Sequence, residues 1–242
     1  MFDFTEYDRD GVVVLRDLFT PGERAALKQE WDDFYAEAIA SHREVGGNPV
    51  EVTEPIGQRF AHLIHHPRLL GIAKDRFGGD VAVQLFRLLV KDKHYRGSAW
   101  LHHDMPYYAG SGDKISLFIA LGQANERNGG LYFVRETHKF GWLGYQHYYN
   151  NQIGTIDPAI VREGDFEHIC PTLGVGDVIM SDMYTWHYSK DSEVDIDRPL
   201  VQIVYSNTAC PMAGQLVAGK WRTNLERVWG PDGRAKLQRR AG

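Results

Sequence analysis

The feature that most constrains the fold is a change of texture at residue 81. Residues 81–90 (VAVQLFRLLV) form a long, nearly uninterrupted apolar run. Shorter apolar runs then recur at 115–121, 131–134, 177–180 and 200–205, separated by Gly110-Ser111-Gly112, Asn128-Gly129-Gly130 and Gly174-Val175-Gly176-Asp177. Runs of this length, rich in β-branched and aromatic residues and punctuated by glycine, predict strands and tight turns. Upstream the pattern is helical. Thr20-Pro21-Gly22-Glu23 combines a capping box with proline at the first helical position, and Leu27, Trp31, Phe34 and Ala38 recur at helical spacing. A helix is predicted over 21–41. Phe60, Leu63 and Ile64 suggest a second helix, and Pro67 opens a third that stops at Gly78-Gly79. A first strand follows Asp10-Gly11. Helices first and many short strands after them predict an α+β chain with a mainly β core, a sandwich or a barrel.

The sequence has 242 residues, read as one domain over 1–242, with a formal net charge of -5. No basic stripe is present to neutralise phosphates, which argues against nucleic acid as a partner. The basic positions Arg234, Lys236, Arg239 and Arg240 read as a solvated tail. No apolar run approaches the ~20 residues that a membrane helix requires, and MFDFTEYDRDG lacks an apolar signal core. Two cysteines, Cys170 and Cys210, stand far apart, as expected of reduced thiols rather than a disulfide framework. The expectation is a cytoplasmic protein with no membrane association.

The chemistry concentrates in Trp100-Leu101-His102-His103-Asp104. In an extended segment residues i and i+2 project to one side, so His102 and Asp104 can offer an imidazole and a carboxylate to one ion. A second imidazole would complete a facial set of two histidines and one carboxylate, the arrangement that suits non-haem Fe(II) with open positions. His187 supplies it, downstream in a strand-like stretch, and Arg198 opens the strand RPLVQIVY soon after. A guanidinium can grip a carboxylate with two parallel hydrogen bonds, so a ligand joining the ion to this arginine would be a dicarboxylate. His103 should face away from the ion. His62, His65 and His66 read as surface or interhelical packing, and His94 and His138 as structural.

With these residues in order, the chain resembles the phytanoyl-CoA dioxygenase-like family of Fe(II)/2-oxoglutarate oxygenases. Asp10-Gly11-Val12-Val13-Val14-Leu15 with Leu18-Phe19 is similar to the family's opening strand. Asn128-Gly129-Gly130-Leu131 and Thr137-His138-Lys139 are similar to its "NGxL … PGSHK" segment, with Arg135-Glu136-Thr137 in place of Pro-Gly-Ser. The resemblance implies a double-stranded β-helix, a cupin-like jelly roll, with N-terminal helices bracing one sheet. It implies Fe(II) on His102, Asp104 and His187, and 2-oxoglutarate on Arg198 with Ser189, Lys91 and Phe118 beside it. O2 is then the second cosubstrate.

The expected reaction is oxidation of a small molecule: hydroxylation, or cyclisation, epimerisation or desaturation of a secondary-metabolite scaffold. A fatty-acyl derivative is the alternative substrate. Tyr107, matched to the aromatic of the family's "HxDxxY" run, would line the substrate pocket with Tyr108 and Trp142. A zinc hydrolase is a distant reading, since the chain has no H-E-x-x-H and such a site leaves Arg198 without a role. A non-catalytic jelly-roll binding module would have no need of all three ligands and the arginine.

Overall fold

The N-terminal segment folds locally before it meets the barrel. Residues Thr5–Asp10 form helix α1, closed by Gly11 at φ 76, and Val12–Leu15 form β1. Helix α2 spans Pro21–Ala40. Its predicted capping box is present: Glu23 N–H donates to Thr20 Oγ1 at 3.2 Å, and Thr20 N–H to Glu23 Oε2 at 2.6 Å. Leu27, Trp31, Phe34 and Ala38 are its buried face.

In the computed structural model, residues 1–41, 45, 50–51, 59–105, 114–141, 145–146, 155–156, 166–207, 214–217 and 220–223 are described. Beyond α2 come β2 (Val50–Glu51), a 3-10 helix at Phe60–His65, α3 (Pro67–Phe77) and β3 (Val81–Lys91). The segment read as a second helix is thus a tighter 3-10 turn, which Pro67 cuts short by starting the next helix. The remaining strands are β4 (Ala99–His102), β5 (Lys114–Ala120), β6 (Leu131–Val134), β7 (Tyr145–Gln146), β8 (Thr155–Ile156), β9 (His168–Ile169), β10 (Val178–Asp182), β11 (His187–Ser189), β12 (Arg198–Asn207), β13 (Gly214–Val217) and β14 (Lys220–Thr223).

Two antiparallel sheets make the core. The larger has the order β1-β10-β5-β12-β3-β2, and the smaller β4-β11-β6-β9. Strand alternation divides the larger sheet into two faces. Leu117, Ile119, Val178, Met180, Val201, Ile203 and Tyr205 join Leu27, Trp31, Phe34 and Ile72 of the helices in one apolar cluster. Each such side chain removed from water contributes ~1.5–3 kcal/mol, so this contact fixes the helices on the sheet. The opposite face carries Phe118, Ile179 and Leu200, which meet Leu131 and Phe133 of the smaller sheet. The space between the sheets is therefore apolar at one end, and Arg198, Gln202, Ser116, Arg87 and Lys91 share that inward parity. A mainly β core of two packed sheets with helices against one of them is the predicted architecture.

Two local findings bear on the family-like segments. Glu136 adopts φ 66, the left-handed conformation that glycine takes without strain, at the position where the resembled segment has glycine. Thr137 Oγ1 donates to the Val134 carbonyl and accepts from Trp186 N–H at 3.0 Å, tying the turn to the residue before His187. Of the histidines read as surface or interhelical packing, His66 contacts Glu23 Oε1 at 3.2 Å and packs its ring against Phe19.

Candidate metal centre

The smaller sheet brings the three predicted ligands together. His187 of β11 is the register partner of His102 of β4, and Asp104 lies two residues past His102. All three are buried. One donor atom from each lies within 4.8 Å of the other two. Asp104 Oδ1 is 3.5 Å from His102 Nε2 and 3.7 Å from His187 Nε2.

The backbone sets the tautomers. His102 Nδ1 lies 2.6 Å from the Trp100 carbonyl, and His187 Nδ1 lies 3.0 Å from the Thr185 carbonyl. A carbonyl only accepts, so each Nδ1 carries a proton and each Nε2 is the ring nitrogen that faces Asp104. Phe133 stacks on the His187 ring at 5.6 Å, and Phe118 approaches it edgewise at 6.1 Å. Burial and neighbouring His102 push the His187 imidazole down to about 4, so it is neutral at ordinary pH. Burial alone would raise the Asp104 carboxyl, but His187 and His102 hold it well below the usual carboxylate range. Two buried imidazoles and one buried carboxylate, their donor atoms gathered at one point, fit a divalent transition metal.

The larger sheet contributes the opposite charge. Arg198 of β12 pairs in register with Lys91 of β3. Both are buried, and among the described residues neither makes an ion pair. Among the described residues Arg198 Nε has no hydrogen-bond partner, and Nη1 reaches the Leu89 carbonyl at 3.5 Å. Lys91 Nζ donates to the carbonyl of Lys190, the residue after Ser189. Burial pushes Arg198 down to about 10, and burial with the nearby guanidinium pushes Lys91 down to about 7. Two desolvated cations with no ion pair among the described residues are costly. The arrangement fits an anionic group such as the distal carboxylate of 2-oxoglutarate. Gly129, at φ 75, makes room for it: a Cβ there would lie 2.6 Å from Lys91 Cδ and Nζ.

Ser189 lies on the same strand as His187, and its Oγ accepts from Ala99 N–H at 3.2 Å, leaving the hydroxyl proton to donate. His103 is fully buried with its ring 5.7 Å from Tyr184, apart from the three-ligand group. Tyr107, Tyr108 and Trp142 lie outside the described residues. What the residue reading missed is a polar chain behind Asp104. Gln202 donates to Asp104 Oδ2 at 2.9 Å and to Ser116 Oγ at 2.8 Å, and accepts from Arg87 Nε at 2.5 Å. The available signal was a glutamine inside the apolar run LVQIVY, at the parity of Arg198.

An ectoine dioxygenase of Streptomyces coelicolor is 27% identical over 155 residues, covering 57% of this chain and 50% of the relative. That match spans only half the length of the relative. An ectoine dioxygenase of Bordetella parapertussis is 26% identical over 230 residues, covering 83% of this chain and 73% of the relative. Among solved structures, EctD from S. alaskensis with 2-oxoglutarate and 5-hydroxyectoine superposes with a TM-score of 0.70 at 20% identity, covering 92% of this chain and 80% of that one. The epimerase SnoN in complex with Fe3+, alpha-ketoglutarate and nogalamycin RO gives 0.65 at 20% identity, covering 84% and 81%. These likenesses establish the jelly-roll fold. Residues 7–198 match the family model described as phytanoyl-CoA dioxygenase (PhyH). The chain therefore belongs to the phytanoyl-CoA dioxygenase family of non-haem Fe(II)/2-oxoglutarate dioxygenases.

Proposed function

We propose that this chain, as one domain over residues 1–242, is an Fe(II)- and 2-oxoglutarate-dependent oxygenase of a small molecule. The observation that carries the reading is the pair Arg198 and Lys91. These buried cations form no ion pair among the described residues and sit at the parity that faces a two-histidine, one-carboxylate cluster. A zinc hydrolase has no use for such a pair, and a passive binding module has no use for two imidazoles with fixed tautomers.

In this reading His102, Asp104 and His187 hold the metal, and Arg198 receives the distal carboxylate of 2-oxoglutarate. Lys91 adds charge beside it, and Ser189 donates its hydroxyl proton. Phe118 and Phe133 flank His187 and keep water from that side of the ligand. When bound, Fe(II) with 2-oxoglutarate and O2 supplies an oxidant strong enough to take hydrogen from an unactivated C–H bond. The protein contributes ligation, orientation and exclusion of water.

The substrate we propose is a secondary-metabolite scaffold, hydroxylated or otherwise tailored. Ectoine, a small cyclic zwitterion, is a second reading favoured by the names of the curated relatives. The protein is read as cytoplasmic. Among the described residues no helix is long and apolar enough to cross a membrane. The test is purified protein with Fe(II) and 2-oxoglutarate under air, with succinate measured alone and with a panel including ectoine. Metal-dependent succinate formation, accelerated by one member of the panel, is expected. Absence of succinate under every condition would sink the proposal.

A further inference from the structure

We infer that Gln202 is a positioning residue that makes Asp104 a one-oxygen metal ligand. The inference rests on the metal-centre reading above and adds a residue to it. Gln202 is fully buried on the inner face of β12, at the parity of Arg198. Which way its amide points does not depend on distinguishing oxygen from nitrogen. Arg87 Nε can only donate, so the atom 2.5 Å from it must be the amide oxygen. The NH2 group then faces the other way and donates to Asp104 Oδ2 and Ser116 Oγ, at 2.9 and 2.8 Å.

The consequence for Asp104 is directional. Oδ2 is held by a hydrogen bond from the larger sheet, while Oδ1 faces both histidine Nε2 atoms of the smaller sheet. A carboxylate left free could swing to offer both oxygens and occupy a position that the cosubstrate or O2 requires. Gln202 prevents this, and Arg87 prevents the Gln202 amide from turning over. Ser116 accepts the second amide proton without touching Asp104, so it completes the network but does not steer the carboxylate.

The test is titration of the metal-free protein with Co(II), followed by its visible absorption and needing no turnover. Gln202→Leu should raise the Co(II) dissociation constant about 10–100-fold, the usual effect of losing a group that orients a ligand. Its Co(II) absorption should weaken as the second Asp104 oxygen joins the ion. Arg87→Met, which keeps Gln202 but frees its amide, should shift affinity and spectrum in the same direction by less. Ser116→Ala should leave both unchanged. Wild-type affinity and spectrum in Gln202→Leu, or in Arg87→Met should Gln202→Leu not fold, would overturn the inference. His102→Ala separates the two levels. If wild type binds Co(II) no better than His102→Ala, the metal-centre reading itself fails.

Discussion

Arg198 and Lys91 stand opposite each other on β12 and β3, two buried cations in register with no ion-pair partner among the described residues. Each reaches a backbone carbonyl, Arg198 that of Leu89 and Lys91 that of Lys190. The electrostatic cost of this pair is relieved when an anion enters between the sheets.

Arg198→Lys keeps the charge and loses the planar fork. The apparent KM for 2-oxoglutarate should rise about tenfold or more, equivalent to ~1.4 kcal/mol or above. Steady-state succinate formation at varied 2-oxoglutarate measures this, and an unchanged KM would remove Arg198 from the cosubstrate site.

Lys91 predicts a pH dependence. Burial, and then the Arg198 guanidinium, depress the amine to about 7 in the folded protein, whereas an unfolded chain holds that proton to about pH 10.4. Between these values the unfolded state binds more protons, so stability without cosubstrate should rise as pH climbs through this window. Below it both states carry the proton, and the folded protein bears the full cost of the buried charge. Melting curves should show Tm increasing above about pH 7 in wild type relative to Lys91→Met. Parallel profiles for the two proteins would contradict the assignment. Affinity for 2-oxoglutarate should move the other way, weakening as Lys91 loses its charge.

His102→Ala and His187→Ala each leave two ligands where the geometry provides three. Both should abolish succinate formation and weaken Fe(II) binding. Near-wild-type turnover in either variant would refute the three-ligand site.

Gly129→Ala tests the space around the cation pair. The left-handed φ of 75 disfavours any side chain, costing ~1–2 kcal/mol, and the added methyl would meet Lys91 Cδ and Nζ at 2.6 Å. A lower Tm together with a higher KM for 2-oxoglutarate is expected. A lower Tm with unchanged KM would mean that Lys91 does not contribute to cosubstrate binding.

How much of this was legible in the sequence depended on the range of the interaction. The β5 and β12 runs were readable because strands buried on both faces are continuously apolar, and α2 because its cap and periodicity agree. His102 and Asp104 were readable because the alternation of one extended segment puts both on one side. The opposition of Lys91 and Arg198 was not, since it is a register between distant strands, and only the family resemblance pointed to Lys91. Helix α1 (TEYDRD) has no periodic apolar face and is held by tertiary contact instead, with Tyr7 and Asp10 buried. Strands β4 and β11, of 4 and 3 residues, are too short for a pattern to declare itself. Gln202 was passed over as one polar residue in an apolar run, because its partners come from three other segments.

Those two short strands have a further consequence. His102 and His187 are direct register partners, so an ion bound to both would act as a stitch between β4 and β11. A ladder this brief has few hydrogen bonds to resist fraying, whereas β12 pairs with β3 along its whole length. Loss of metal would therefore loosen one wall of the barrel and spare the other. The anion anchor would outlast the metal site, and the order of loading would follow: a cation-lined cradle that stands ready, and a ligand cage that the ion itself helps to close.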